Sequence, residues 1–192
     1  MRVATSPDEE MRELFDDLDL GAKYRTELID GRISVRGMPS LQHCLILTWL
    51  VYQLRHLGEP RDWTGLGAGG LVLLPSGDRV RPDLSIVRRA EVPSAGIPAE
   101  DVMLAAEIIT ADAHRDSAEA VRKGCSRAGI PFYLLIDILA GPPTATLYSA
   151  PLFDGYRSIT QVPAGDELYL PDPFNTRLDT TALLDTTTLP LP

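Results

Sequence analysis

VRPDLSIV, residues 80–87, has the pattern of a strand that a sheet buries, with one acid, Asp83, set into it. A carboxylate taken out of water is costly unless a cation, a proton or hydrogen-bond donors meet it. One loop further on, VMLAAEIIT (102–110) is a nearly continuous apolar run, as expected of a strand covered on both faces, and it too carries a single charge, Glu107. Two acids inside successive buried strands raise each other's pKa and destabilise a fold. A divalent cation would remove that penalty. The plain alternative is that Asp83 or Glu107 pairs with Arg81, Arg88 or Arg122, or faces solvent at a strand end.

Outward from these strands the chain alternates elements. Ser6-Pro7-Asp8-Glu9 is a helix start, with Ser6 as cap, and the helix ends near Gly21. YRTELID and RISVR flank Asp30-Gly31, a strong signal for a two-residue hairpin. Ser40 opens a long helix in which Leu41, Cys44, Leu45, Thr48, Val51 and Tyr52 recur at helical spacing until Gly58, and this face is expected to pack on the sheet. A Gly-rich loop covers Gly65 to Gly70, LVLLP pairs with the opening strand, and a Pro-containing loop covers Glu91 to Glu100. Asp116-Ser117-Ala118-Glu119 starts a second helix that Gly129 closes just before PFYLLID, which makes a strand, helix, strand crossover. TATLYS, YRSITQV and ELYL are short strands, and the Thr- and Pro-rich end is expected to fray.

With 192 residues, 44% of them hydrophobic and 23% charged, the chain has the composition of one soluble globular domain. The expected division is a core over about 22–160 and a C-terminal extension over about 161–192 within a single domain, 1–192. No apolar run approaches the ~20 residues that cross a bilayer, and the N-terminus lacks a signal-peptide core, so a cytoplasmic protein without membrane contact is expected. Cys44 and Cys125 have no metal spacing and are expected to be small core residues. A net charge of −9 repels polyanions and argues against indiscriminate coating of nucleic acid, so any such contact must be local. Arg79, Arg81, Arg88, Arg89, Arg115, Arg122, Lys123 and Arg127 are the cations available for it.

Laid out in order, Glu27-Leu28-Ile29-Asp30-Gly31, His43, Arg81-Pro82-Asp83, Glu107-Ile108-Ile109-Thr110, Arg127-Ala128-Gly129-Ile130 and Tyr133-Leu134-Leu135-Ile136-Asp137 resemble the Uma-type restriction endonucleases, a branch of the PD-(D/E)XK nuclease superfamily. The resemblance runs from about Tyr24 to Tyr156. It implies a restriction-endonuclease-like α/β fold, a central mixed sheet flanked by helices. It also implies Mg²⁺- or Mn²⁺-dependent hydrolysis of DNA phosphodiesters, with Asp83 and Glu107 as metal-holding acids, Ile108 in the same metal set and Glu27 completing the acidic group. Oxygen ligands of this kind suit Mg²⁺, which binds through one or two carboxylates and substrate phosphate.

The chain departs from that pattern at the lysine. Ile109 occupies the superfamily's position, and Val121 the position to which the Uma-type branch has moved it; Cys125 replaces the branch's aromatic one turn later. Ala118, Val121, Cys125 and Ala128 share one helix face that must cover the sheet, so Val121 points inward. Lys123, about 200° around, points to solvent, and Arg122, about 100° around, can fold its stem toward the site. Arg122 and Lys123 are the expected phosphate contacts. Asp112, His114 and Asp116 are outlying candidates, and His43 reads as a packing histidine. Dimers are common among such nucleases, although no interface signature is visible. Two rival readings stay open: a non-catalytic nucleic-acid-binding or protein-interaction module on the same fold, and a hydrolase of small phosphate esters.

Overall fold

The computed structural model describes residues 7–21, 23–57, 63–67, 70–88, 95–111 and 114–185. Ser6, Gly58, Arg89, Asp112, residues 91–94 of the loop before Glu100 and the end of the chain from residue 186 lie outside the described residues. Helix α1 (Pro7–Asp17) leads into β1 (Arg25–Ile29) and β2 (Arg32–Arg36). The two strands pair antiparallel through Asp30-Gly31, whose φ values of 47° and 69° give the left-handed turn that Asp-Gly favours. Helix α2 (Leu41–Leu54) follows, then β3 (Thr64–Gly67), β4 (Val72–Leu73), β5 (Arg79–Val80), β6 (Leu84–Val87), β7 (Ile97–Pro98) and β8 (Val102–Ile109). Helix α3 (Arg115–Arg127) crosses to β9 (Phe132–Asp137), and β10 (Thr144–Leu152), β11 (Gly155–Pro163), β12 (Glu167–Leu170) and β13 (Thr176–Asp179) complete the chain.

These strands form a six-stranded sheet in the order β11-β10-β9-β8-β6-β3, a five-stranded sheet in the order β2-β1-β5-β4-β7, and the β12–β13 pair. The β8–β9 pair is parallel and its neighbours are antiparallel, so the large sheet is mixed. Every residue of β8 is buried. Ala106 and Ile108 join the core beneath α2, whereas Ala105 joins the core that α3 shares with the small sheet. Glu107, by alternation, shares the face of Ala105. Leu168, Leu170, Leu178 and Leu183 enter the α2-side core, so the chain beyond residue 160 packs into the body of the fold.

Helix α3 ends as Gly129 implies. With φ at 78°, Gly129 donates to Ser126 and Ile130 donates to Cys125, a Schellman cap. The helix starts one residue earlier than the capping-box reading, with His114 as its flanking residue.

Four sequence expectations are corrected. The stretch 80–87 is two strands rather than one. Pro82 has no amide to donate, and the chain uses Arg81–Asp83 to pass from the small sheet to the large one. On α2 the buried residues are His43, Ile46, Trp49, Leu50 and Leu54, while Leu41, Cys44 and Val51 are exposed. The helix is apolar on most sides, so spacing alone could not choose its inward face, and the bulky Trp49 and Ile46 occupy it. Cys44 is consequently a surface thiol, and only Cys125 is a core residue. Finally, Gly65 and Gly67 belong to β3, the edge strand paired with β6, and the loop before Glu100 contains β7.

Candidate active site: acids and arginines at the junction of two sheets

Asp83 sits in the link between β5 and β6 and is fully buried, while Glu107 and Glu27 are each 1% exposed. Leu84 pairs with Ala106, so one step back along the same register brings Asp83 to Glu107. The Ile108 amide donates to Asp83 Oδ2 at 2.8 Å and fixes that carboxylate against β8. Glu27 arrives from β1: its Oε1 accepts from the Arg81 amide at 2.7 Å, and its Oε2 is bound by Arg36. Asp83, Glu107 and Glu27, chosen from the sequence, therefore meet at one place, with Ile108 contributing its amide N–H to Asp83.

The cations that meet these acids come from the hairpin. Arg25 Nη1 donates to Asp83 Oδ1 at 2.6 Å, and its Nη2 donates to the Arg81 carbonyl. Arg36 grips Glu27 with one nitrogen and reaches Glu107 Oε2 at 3.4 Å with the other. Arg88 and Arg122, which the sequence offered as partners, are engaged elsewhere, Arg88 at Met103 and Arg122 at Glu119. Arg81 contributes its backbone amide and carbonyl, and its guanidinium donates to the Thr26 carbonyl. Two arginines thus supply charge compensation that the sequence reading assigned to a divalent ion.

His43, buried on α2, places Nε2 3.2 Å from Asp83 Oδ1, an electrostatic contact outside hydrogen-bond alignment. It is more than the packing residue its helical position suggested. Burial alone would raise the Asp83 carboxyl pKa, but His43 and Arg25 outweigh it and hold the group down at about 2. Glu107 goes the other way: burial and the neighbouring Asp83 charge raise it well above the ordinary carboxyl value, and the long contact to Arg36 only partly opposes them. One acid of the pair is a fixed anion and the other favours its proton. That divergence is the mark of two carboxyl groups in contrasting surroundings.

A cavity of about 250 Å³ opens beside the cluster, lined by Arg25, Arg36, His43, Asp83, Thr110 and His114 among others. Arg122 and Lys123 are absent from that lining. Both pair with Glu119 on the outer side of α3, and Arg122 also lies over the Tyr148 ring. Arg115 binds Asp137 at the end of β9. Val121 is fully buried. Its face of α3 packs on the core that also holds Ala105, whose face of β8 Glu107 shares, and burial together with the Glu107 and Glu27 charges raises the pKa of the Cys125 thiol one turn on.

The fit to a divalent ion can be judged from the acids alone. Among the described residues no group of three or more His, Cys, Asp or Glu side chains is arranged as a metal cage. Both oxygens of Asp83 and of Glu27 already accept hydrogen bonds, but Glu107 Oε1 is buried without a hydrogen-bond partner. An unpartnered carboxylate oxygen beside a second carboxylate fits an ion that takes one or two protein carboxylates and completes its shell with water and phosphate.

This mixed sheet, with acids at the inner ends of adjoining strands and a helical crossover behind them, defines a restriction-endonuclease-like protein. The chain belongs to the Uma2 family, described as "Putative restriction endonuclease", whose model matches residues 12–183. It is similar in fold to a crystal structure from Anabaena variabilis ATCC 29413, described as a putative nuclease belonging to DUF820: the TM-score is 0.72 at 18% identity, over 96% of this chain and 100% of that one. No curated protein matches the chain.

Arg25 and Arg36 are the site residues that the sequence reading missed. A signal existed in the alternation of RTELI against RISVR, which sets Arg25, Glu27 and Arg36 on one face of the hairpin once Asp30-Gly31 fixes the register.

Proposed function

We propose that this protein hydrolyses phosphodiester bonds of DNA with the help of Mg²⁺ or Mn²⁺ held by Asp83 and Glu107. The observation that carries the reading is the burial of these two acids side by side, with Glu107 Oε1 unpartnered. Family membership and the nuclease descriptions of the matched family and structure support it. When bound, such an ion supplies positive charge to phosphate oxygens and acidifies a water. Asp83, kept ionised by Arg25 and His43, provides a permanent negative charge. Glu27 serves as the anchor that orients Arg36, because both its oxygens are engaged. Arg122, mostly covered over the Tyr148 ring, and the more exposed Lys123 both pair with Glu119 outside the cavity lining, so either would contact a flanking phosphate only by exchanging that carboxylate for it.

Supercoiled plasmid incubated with Mg²⁺ or Mn²⁺ tests the reading. Cleavage is expected, abolished by a chelator and by Asp83→Asn or Glu107→Gln. No metal-dependent cleavage, or cleavage that survives loss of both acids, refutes it.

A second reading, a non-catalytic module on the same fold, is favoured by one observation: the position facing the acids from α3 is Val121 and not a cation. Val121→Lys separates the two. A large gain of metal-dependent cleavage in the variant over a silent parent would mean that the natural chain binds without cutting.

A further inference from the structure

Arg25 and Arg36 are direct cross-strand partners in the β1–β2 ladder. Like charges set opposite each other in an antiparallel pair destabilise it. Here the pair is also largely withdrawn from water, with side-chain exposures of 16% and 14%. Satisfying the acids explains part of the arrangement and leaves part unexplained. Each guanidinium has five N–H donors, and in both residues the Nε is buried with no hydrogen-bond partner. The buried His43 Nε2 on the same cavity wall lacks a hydrogen-bond partner as well. Two guanidinium nitrogens thus lack hydrogen-bond partners, in residues that line a cavity several times the ~30 Å³ share of one water, while His43 Nε2 faces only the Asp83 carboxylate.

The carboxylates have a second effect. Arg36 is fixed at Glu27 and only loosely at Glu107, and Arg25 is fixed at both Asp83 and the Arg81 carbonyl. Their planar forks are oriented before any ligand arrives, which lowers the ordering cost of binding. Two pre-oriented guanidiniums on one wall match the oxygens of a phosphate, to which arginine binds through paired, charge-assisted hydrogen bonds.

We propose that the cross-strand pair Arg25 and Arg36 is a phosphate seat, which receives a backbone phosphate of the nucleic-acid substrate beside the acids. The identity of the substrate rests on the hydrolase reading above; the seat itself rests on the arginine geometry. The seat provides cationic contact at a site where α3 presents Val121.

The test reads binding apart from cleavage. In a chelator, at matched ionic strength, inorganic phosphate is expected to raise the melting temperature of the parent protein and of Arg177→Gln, a surface control. The rise should vanish in Arg25→Gln and in Arg36→Gln. Affinity for an unphosphorylated duplex oligonucleotide should fall about tenfold or more in each arginine variant. Because Arg36→Gln leaves Glu27 uncompensated, the double variant Glu27→Gln with Arg36→Gln serves if the single one fails to fold. Unchanged phosphate and duplex binding in the arginine variants overturns the seat. A response of the parent to duplex but not to inorganic phosphate, equally present in the variants, overturns it too. Plasmid cleavage by the parent decides the hydrolase reading separately: binding lost with the arginines in a protein that never cuts keeps the seat and removes the hydrolase.

Discussion

Replacing Glu107 by Gln should stabilise this protein as pH rises while ending its proposed chemistry. Burial and the Asp83 charge raise the Glu107 pKa well above its value of 4.5 in the unfolded chain. The sign follows from linkage. Below pH 4.5 the carboxyl is protonated in both states and costs nothing; above it the unfolded chain ionises while the folded protein must keep the proton or bury a second charge. Parent stability therefore declines with pH relative to Glu107→Gln, by about 1.4 kcal/mol per pH unit until the folded carboxyl itself ionises. For a chain of this size that slope equals about 3 to 6 °C in melting temperature per pH unit. Thermal melts of both proteins from pH 4 to pH 8 in a chelator measure it. Parallel curves, or a parent that gains on the variant as pH rises, would show that Arg36 holds Glu107 ionised and would refute the reasoning. Adding Mg²⁺ should narrow the gap between the two proteins at neutral pH, because an ion on Glu107 stabilises only the parent.

Other expectations concern the supports of the site. Asp83→Asn leaves Arg25 without its anion and should cost about 2 to 3 kcal/mol at neutral pH, the buried-pair value reduced for the partial exposure of Arg25, as read by urea unfolding. Because the folded Asp83 pKa is lowered from 3.8 to about 2, that difference should be complete above pH 3.8 and disappear as pH falls toward 2. Gly124→Ala improves helix propensity, yet its methyl would stand 3.0 Å from Leu74 Cδ1 and 3.3 Å from Ile29 Cδ1. A net loss of about 1 kcal/mol in thermal or chemical unfolding is expected, with α3 pushed off the small sheet. Tyr133→Phe removes the 3.0 Å bond from the buried phenol to the Ala118 carbonyl and should cost about 1 kcal/mol in the same assay.

Much of this arrangement was legible where local chemistry decides the outcome. Asp30-Gly31 fixed the hairpin, Gly129 the end of α3, and the apolar run of 102–109, interrupted by Glu107 alone, the central strand, because each depends on a turn conformation or a burial pattern within a few residues. The acids stood out for the same reason, as charges in apolar runs. What could not be read is what depends on docking. The inward face of α2 is chosen by what it packs against, since Leu, Ile, Trp and Val occur on most of its sides. The partners of Asp83 and Glu107 come from residues 58 and 71 positions away in the chain, on another sheet. Cations nearer in sequence, Arg88 and Arg122, were the natural suggestion and are occupied elsewhere.

The division of the cluster between two sheets has a consequence for how this protein fails. Asp83 and Glu107 ride on the large sheet and its lead-in, whereas Glu27, Arg25 and Arg36 ride on the hairpin of the small one. A slight parting of the two would separate anions from cations while leaving every ladder of hydrogen bonds intact. Gentle heating, mild denaturant or a loosened variant is therefore expected to disturb the proposed site before circular dichroism registers melting, and a preparation can look healthy by spectroscopy when its acids and arginines no longer meet.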